Sequence, residues 1–246
     1  MNEYMINFYR TRGVQNPVLV PVGIRYPKLL NNANNIKKGS IEIALVARIV
    51  GWKSFLYQVV NFLADSNLNY HLHIVGDGMN LIEYKDYVYS KLQHKNATFY
   101  GSLQLKDLYN LLLDVDCAVS VGTSAPLIAS MGIPVIVGKE NSPYNQDVNY
   151  GWFSRTQGYT YQEADAELEE YSYDIIGDLF TMTEEARTEL KNDHIKRSSQ
   201  FDMKITVKSF ISASLRAKEI SLMRFATHVF TIMFFVNTFI GAVFQY

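Results

Sequence analysis

The hydrophobic pattern of the chain alternates short apolar runs with longer amphipathic segments. Residues 41–47 form a nearly continuous apolar run, which is typical of a strand buried on both faces of a parallel sheet. Residues 55–63 then place apolar side chains at helical spacing. Because the alternation recurs over residues 70–138, the pattern predicts right-handed βαβ crossovers. The expected fold class is α/β, with a single Rossmann-like parallel sheet and helices on both faces.

Less regular segments flank this sheet region. The N-terminal part, 1–39, predicts a helix, a short strand over residues 18–22 and a polar linker. Residues 141–160 are expected to form a surface loop anchored by aromatic side chains, which are Tyr150, Trp152 and Phe153. Three later helices are expected over residues 164–180, 183–190 and 204–220. The sheet domain and these helices together make a predicted domain over residues 40–220.

The C-terminal part, residues 221–246, is expected to be a hydrophobic helix. Residues 225–244 carry no formal charge, and their length is near that needed to cross a bilayer core. Arg216, Lys218 and Arg224 precede this run, so a membrane-spanning helix would leave the sheet domain in the cytoplasm. A buried helix that packs on a partner domain has the same pattern, and both readings stay open.

Composition limits the function classes. The formal net charge is −1 and the basic residues are scattered, which argues against a nucleic-acid-binding protein. Cys117 is the single cysteine and has no internal disulfide partner, which suits a reducing compartment and a role in the core. The first residues lack the apolar core of a secretory signal. We therefore expect a cytoplasmic location, with attachment to the cytoplasmic face of a membrane if the C-terminal helix is an anchor.

Candidate chemistry lies at the predicted carboxyl edge of the sheet, where ligands bind in open α/β folds. Arg48 and Lys53 flank a turn that contains Gly51, and two cations there suit a phosphorylated ligand, although isolated surface cations would look the same. Thr123 and Ser124 begin a later helix, where hydroxyl and free N–H groups either bind phosphate or only cap the helix. His71 and His73 share a strand face without a third ligand nearby, so no metal site is expected.

Several short motifs follow one another in a familiar order. They are Pro21-Val22-Gly23-Ile24, Arg48 with Lys53, Val75-Gly76-Asp77-Gly78, Phe99-Tyr100-Gly101, Asp116, Gly122-Thr123-Ser124-Ala125 and Gly132-Ile133-Pro134-Val135-Ile136. In order and spacing they resemble the C-terminal, nucleotide-sugar-binding domain of group 1 (family 4) glycosyltransferases, which have the GT-B fold. The resemblance covers about 130 residues.

The resemblance implies a role for each matching residue. The donor diphosphate would be bound by Arg48, Lys53, Thr123 and Ser124. Other positions would lie near the nucleotide, and these are Gly51, Gly76, Gly78, Tyr100, Gly101 and Leu127. Leu127 replaces the family glutamate that binds the ribose, and losing such a hydrogen bond costs on the order of 1–3 kcal/mol. The nucleotide-diphosphate sugar is the substrate, and no cofactor is implied.

The resemblance therefore implies a hexosyltransferase donor domain, a transferase of polysaccharide or cell-envelope biosynthesis. The chain has room for one of the two Rossmann domains of a GT-B enzyme, so the acceptor domain is expected to be missing or separate. The expected partners are a nucleotide sugar, a glycan or lipid-linked acceptor, an acceptor-domain subunit and a membrane. The alternatives are a non-catalytic sugar-nucleotide-binding or scaffold subunit, a truncated inactive fragment, and a protein like the two-domain sugar-nucleotide epimerases.

Overall fold

A computed structural model of the protein describes residues 3–15, 17–27, 39–92, 96–156 and 169–216. The strands are Ile41–Val46 (β1), Tyr70–Val75 (β2), Ala97–Gly101 (β3), Cys117–Ser120 (β4), Val135–Gly138 (β5) and Asn149–Trp152 (β6). The helices are Glu3–Thr11 (α1), Phe55–Asp65 (α2), Leu81–Lys91 (α3), Leu105–Leu112 (α4), Ser124–Ala129 (α5), Ile175–Thr181 (α6), Glu184–Ser199 (α7) and Met203–Arg216 (α8).

The strands form one sheet in the order β3-β2-β1-β4-β5-β6, flanked by helices. β1 to β5 are parallel, as the hydrophobic pattern predicts, and β6 is antiparallel to β5. The interior side chains of β1 are almost completely buried because apolar residues lie on both faces of this strand. Cys117 is likewise buried in β4 as a free thiol, in line with its expected place in the core. The predicted α/β class and Rossmann-like sheet are confirmed.

The region expected to form a surface loop, residues 141–160, is described as far as residue 156, and this part contains β6. Backbone pairing of Trp152 with Ile136 and of Asn149 with Gly138 adds this strand to the edge of the sheet. The aromatic residues expected as anchors are buried, with Tyr150 and Trp152 each 5% exposed. Their burial favours the strand although its sequence contains asparagine and glycine.

The helix expected over residues 164–180 begins later in the structure, and its first residues, 164–168, lie outside the described ranges. Tyr171 instead exchanges two backbone hydrogen bonds with Asn149, at 2.8 and 2.9 Å. α6 therefore starts at Ile175, after this pairing ends. α7 begins where predicted, since the Thr183 hydroxyl accepts a hydrogen bond from Ala186 N at 3.3 Å.

The short strand expected over residues 18–22 is absent from the described structure. One parallel bridge joins Ile24 to Asp202 instead, with Ile24 N donating to Phe201 O at 2.7 Å. Pro21 lacks a backbone N–H, which weakens any strand at that position. The segment around Ile24 is thus attached near the start of α8 rather than to the sheet.

By internal contacts the chain divides into two compact units, Met1–Thr206 and Val207–Tyr246. The sheet and the candidate site lie in the first unit. The predicted hydrophobic helix over residues 221–246 lies outside the described residues. Among the residues that are described, no helix combines the length and apolar character that a membrane span requires.

Candidate functional site

The loop after β1 lies at the carboxyl edge of the sheet, between the loops that follow β2 and β4. Val46, the last residue of β1, is opposite both Val75 and Ser120 in the strand register. Ligands bind at this edge in open α/β sheets. Arg48 is exposed here, and Lys53 lies at the far side of the same loop. The structure therefore brings the two predicted cations together at one rim of the sheet.

Lys53 is directed towards a carboxylate that the sequence analysis missed. Its Nζ lies 3.9 Å from Oε1 of Glu140, and the two side chains are 13% and 2% exposed. Both carboxylate oxygens of Glu140 are buried and have no hydrogen-bond partner among the described residues. Burial raises the pKa of Glu140 to about 7, and the Lys53 charge opposes that rise. The sequence contains one indication of a role for Glu140, because this residue comes just after an apolar strand, at the predicted binding edge.

The two cations influence each other. Burial lowers the pKa of Lys53, the Glu140 charge raises it, and the nearby Arg48 charge lowers it. Mutual repulsion between Arg48 and Lys53 would be relieved by an anion bound next to both. Trp52 is 51% exposed, and its ring lies 5.5 Å from Lys53 Nζ. An aromatic face at this distance gives the ammonium group a second favourable contact.

Ser54 joins the start of α2 to the segment that follows β5. Its hydroxyl donates to Lys139 O at 3.0 Å and accepts from Ser142 N at 3.0 Å. Ser54 is buried, so these bonds are shielded from water. Because Glu140 lies between Lys139 and Ser142, the two bonds fix its backbone beside Lys53.

A second set of hydrogen bonds joins the segment that follows β5 to the loop that carries Arg48 and Lys53. Asn141 N donates to Trp52 O at 3.0 Å, and Tyr144 OH donates to Gly51 O at 2.5 Å. Asn141 has a φ of +52°, a left-handed conformation that asparagine tolerates better than most residues. Gly51 is thus an anchoring point for the neighbouring loop, and its expected contact with a nucleotide stays a prediction.

The loop after β2 packs directly on the loop after β1, which carries Arg48. Ile49 N donates to Asp77 O at 2.9 Å. A Cβ atom built on Gly76 would lie 1.8 Å from Ala47 O, and one built on Gly78 would lie 2.0 Å from Ile49 O. The close approach of the two backbones therefore requires both glycines. Their proximity to a nucleotide stays a prediction.

The turn after β4 carries the predicted hydroxyls. Gly122 has a φ of +66°, which favours glycine there. Thr123 is exposed, and its side chain makes no capping hydrogen bond to α5. The Ser124 hydroxyl donates to Val121 O at 3.0 Å. Ser124 thus has its donor engaged by the backbone, while Thr123 faces solvent.

Leu127 stands where the resemblance places a ribose-binding glutamate. In the structure it is partly buried and packs against the hydrophobic core. An apolar side chain offers no acceptor for the hydroxyl groups of a ribose. A ribose contact at this edge would have to come from another group.

Tyr100 belongs to a polar cluster on one face of the sheet. Its hydroxyl lies 2.9 Å from His73 Nδ1, and His73 Nε2 lies 2.8 Å from Glu42 Oε2. Burial lowers the pKa of His73, and its hydrogen bond to Glu42 raises it. The Tyr100 hydroxyl is thus paired within the sheet. Gly101 follows with a φ of +64° and has open space at its Cβ position.

The two histidines on this face are not part of a metal-binding cluster of described residues. The His71 and His73 rings are 4.8 Å apart, and His71 Nε2 lies 2.8 Å from Thr98 Oγ1. Within the described part of the chain, no three His, Cys, Asp or Glu side chains are placed to hold a metal ion. Each histidine has a hydrogen-bond partner inside the sheet instead.

Comparison with known sequences yields no match to a family model and none to a curated protein. Solved structures do match. The chain is similar to the lipopolysaccharide outer core galactosyltransferase WaaB in its apo form, with a TM-score of 0.60 and 16% identity over 87% of this chain and 60% of WaaB. Sucrose-phosphate synthase from Thermosynechococcus elongatus gives a TM-score of 0.57 and 17% identity, over 86% of this chain and 56% of that protein.

A third similar structure is a mutant of S. aureus TarM solved with fondaparinux, alpha-GlcNAc-glycerol and UDP. Its TM-score is 0.53 at 15% identity, over 84% of this chain and 41% of TarM. The similarity to these three structures confirms that the described chain has the fold of one half of a GT-B glycosyltransferase. The chain spans between 41% and 60% of their lengths.

Proposed function

We propose that the chain is the donor-binding half of a glycosyltransferase of the hexosyltransferase type, working together with an acceptor-binding domain. The observation that carries the proposal is the placement of Arg48 and Lys53 at the carboxyl edge of a sheet with half of the GT-B fold. Cations at this edge suit the diphosphate of a nucleotide sugar. The TarM structure, which holds UDP, supports this class of ligand.

In the proposed reaction the bond between the anomeric carbon and the diphosphate oxygen breaks, and its electron pair stays on the diphosphate. An acceptor oxygen forms the new bond to the anomeric carbon and loses its proton to a base, which we assign to the acceptor-binding domain. Arg48 and Lys53 stabilise the negative charge that grows on the diphosphate. Positive charge next to the leaving diphosphate lowers the energy of the transition state, because the negative charge develops there.

The remaining donor contacts follow from the same placement. We assign a hydrogen bond to the exposed Thr123 hydroxyl, and a second to Ser124 as an acceptor or through its backbone. Gly101 lets the nucleotide approach the backbone after β3, beside the Tyr100 ring. Gly51, Gly76, Gly78 and Leu127 line the same edge on this proposal.

A second candidate function is a sugar-nucleotide-binding subunit without catalytic activity. It is favoured by Leu127, which packs on the core where a ribose-binding glutamate is expected. This subunit would bind the donor without transferring its sugar. Binding and transfer therefore have to be measured separately.

Binding is tested by titrating UDP, ADP and GDP into the purified chain by calorimetry. We expect Arg48→Ala to weaken binding of the preferred nucleotide by at least about 1.5 kcal/mol, since a charged hydrogen bond is lost. Lys106→Ala is the matched control, because Lys106 is exposed on α4 and belongs to no predicted site. Equal affinity of the Arg48 variant and the wild type would overturn the proposal.

We also propose that the protein works in cell-envelope polysaccharide synthesis at the cytoplasmic face of a membrane, held there by residues 225–244. The support is the uncharged sequence of this segment, with basic residues before it. Deletion of residues 225–246 is expected to move the protein from the membrane fraction to the soluble fraction. A full-length protein that stays in solution without detergent would show that the segment is no anchor.

A further inference from the structure

We propose that Glu140 regulates donor binding by competing with the donor diphosphate for Lys53. This inference rests on the proposed function and adds a residue that the family resemblance does not supply. Lys53 Nζ lies 3.9 Å from Glu140 Oε1, and the Glu140 side chain is 2% exposed. Its two oxygens have no hydrogen-bond partner among the described residues. A buried carboxylate in that state depends on its neighbouring cation for compensation.

Glu140 is held in place while Lys53 can move. The backbone on either side of Glu140 is fixed by Ser54, whose hydroxyl bonds to Lys139 O and Ser142 N. Lys53 retains 13% exposure at the rim of the sheet, and its side chain is a long flexible stem. The ammonium group can therefore turn from the buried carboxylate to an anion outside.

The other charges near this pair are already accounted for. The Arg48 charge acts on Lys53, and Arg48 is exposed at the same rim of the sheet. Lys139, next to Glu140 in the chain, forms an ion pair with Glu170. Among the described groups, Lys53 is thus the charge that acts on Glu140. Removal of the Glu140 charge should change the availability of Lys53 without altering another ion pair.

The competition depends on the charge of Glu140. Burial raises the pKa of this carboxyl to about 7, so it changes charge near neutral pH. Below that pKa the neutral acid leaves Lys53 free for the diphosphate. Above it the carboxylate attracts Lys53 and repels the incoming anion. Donor affinity should therefore fall as the pH rises through this pKa, and binding above it should take up a proton.

The test compares Glu140→Gln with the wild type, using the tightest-binding nucleotide among UDP, ADP and GDP. The variant keeps the shape of the side chain and mimics the neutral acid. We expect it to bind about tenfold more tightly than the wild type at about pH 8, and equally at about pH 6, because one pKa unit corresponds to a factor of ten. The ratio between the two proteins cancels the titration of the nucleotide's own phosphate.

Two further variants sharpen the result. Glu140→Asp retains the carboxylate and should keep the fall in affinity with pH. Glu170→Gln removes a carboxylate next to Lys139 and should leave the affinity ratio at one at both pH values. If Glu140→Gln does not fold, proton uptake by the wild type, measured in two buffers of different ionisation enthalpy, decides the matter. No uptake at about pH 8 would overturn the inference.

The outcomes separate this inference from the proposed function. A wild-type protein that binds none of the three nucleotides overturns the proposed function, and the inference falls with it. Binding that Arg48→Ala weakens, but with the same ratio of Glu140→Gln to wild-type affinity at both pH values, overturns the inference alone. Weaker binding by Glu140→Gln at about pH 8 would show that Glu140 only positions Lys53.

Discussion

A methyl group added at Gly78 would meet the carbonyl oxygen of Ile49 at 2.0 Å. The carbonyl oxygen belongs to the backbone and the methyl group is attached directly to it at Cα, so a loop must move, because rotating a side chain cannot relieve the contact. We expect Gly78→Ala to lower the free energy of unfolding by about 2 kcal/mol or more. Urea denaturation measures the change.

Gly51→Ala is the matched control for this prediction. A Cβ atom at Gly51 would lie 3.6 Å from Asn80 Oδ1, which is ordinary van der Waals contact, and the backbone there needs no left-handed conformation. This substitution should leave the free energy of unfolding within about 0.5 kcal/mol of the wild type. A Gly78→Ala protein as stable as the Gly51→Ala protein would contradict the packing argument.

At the residue scale the sequence located the cations but not the partner of Lys53. The spacing of Arg48 and Lys53 around a turn indicates a loop at the edge of the sheet, and the structure has that loop. Glu140 comes from a distant part of the chain and meets Lys53 only because β5 lies two strands from β1. Such a contact depends on strand order, which a local pattern does not contain.

At the scale of elements, the parallel core could be predicted and the antiparallel edge could not. Strands such as Ile41–Val46 are buried on both faces, so their apolar runs stand out in the sequence. The β6 strand contains Asn149 and Gly151, which are disfavoured in strands. It forms because Tyr150 and Trp152 are buried while the backbone pairs with β5 and Tyr171. Tertiary packing, rather than local sequence preference, thus determines that this strand forms.

The length of α7 shows the same limit for helices. The predicted helix ended at residue 190, and the observed helix continues to Ser199. Leu190, His194 and Ser198 are its buried residues, spaced four apart on one face. Two of these three are polar, so the buried stripe is invisible to a hydrophobic pattern. His194 is accommodated because its ring nitrogens lie 2.8 Å from Leu190 O and 3.3 Å from Val135 O.

At the scale of the whole molecule, the described fold matches half of a larger enzyme. The similarity covers 87% of this chain but 60% of WaaB. In the proposed function a donor and an acceptor meet between two domains, and Arg48 and Lys53 are assigned to the donor alone. The sequence could predict this half of the fold because its motifs lie in one continuous sheet region.

Because the donor and acceptor sites are assigned to separate domains, we predict that nucleotide binding and sugar transfer can be separated experimentally. The purified chain should bind its nucleotide but transfer no measurable sugar from a radiolabelled hexose donor that carries the preferred nucleotide, because acceptor and base are assigned to another domain. Transfer to lipid-linked or polysaccharide material should appear when membranes from the source cells are added. The assay counts label in the extracted glycan over time.

The membranes contain transferases of their own, so the control is a variant of the added chain. Arg48→Ala supplied in place of the wild type should lower the added transfer about tenfold or more, since a loss of about 1.5 kcal/mol in diphosphate binding corresponds to that factor. Equal transfer with both proteins would assign the activity to the membranes. Sustained transfer by the purified chain alone would show that it supplies its own acceptor site, and the proposed division of labour would be wrong.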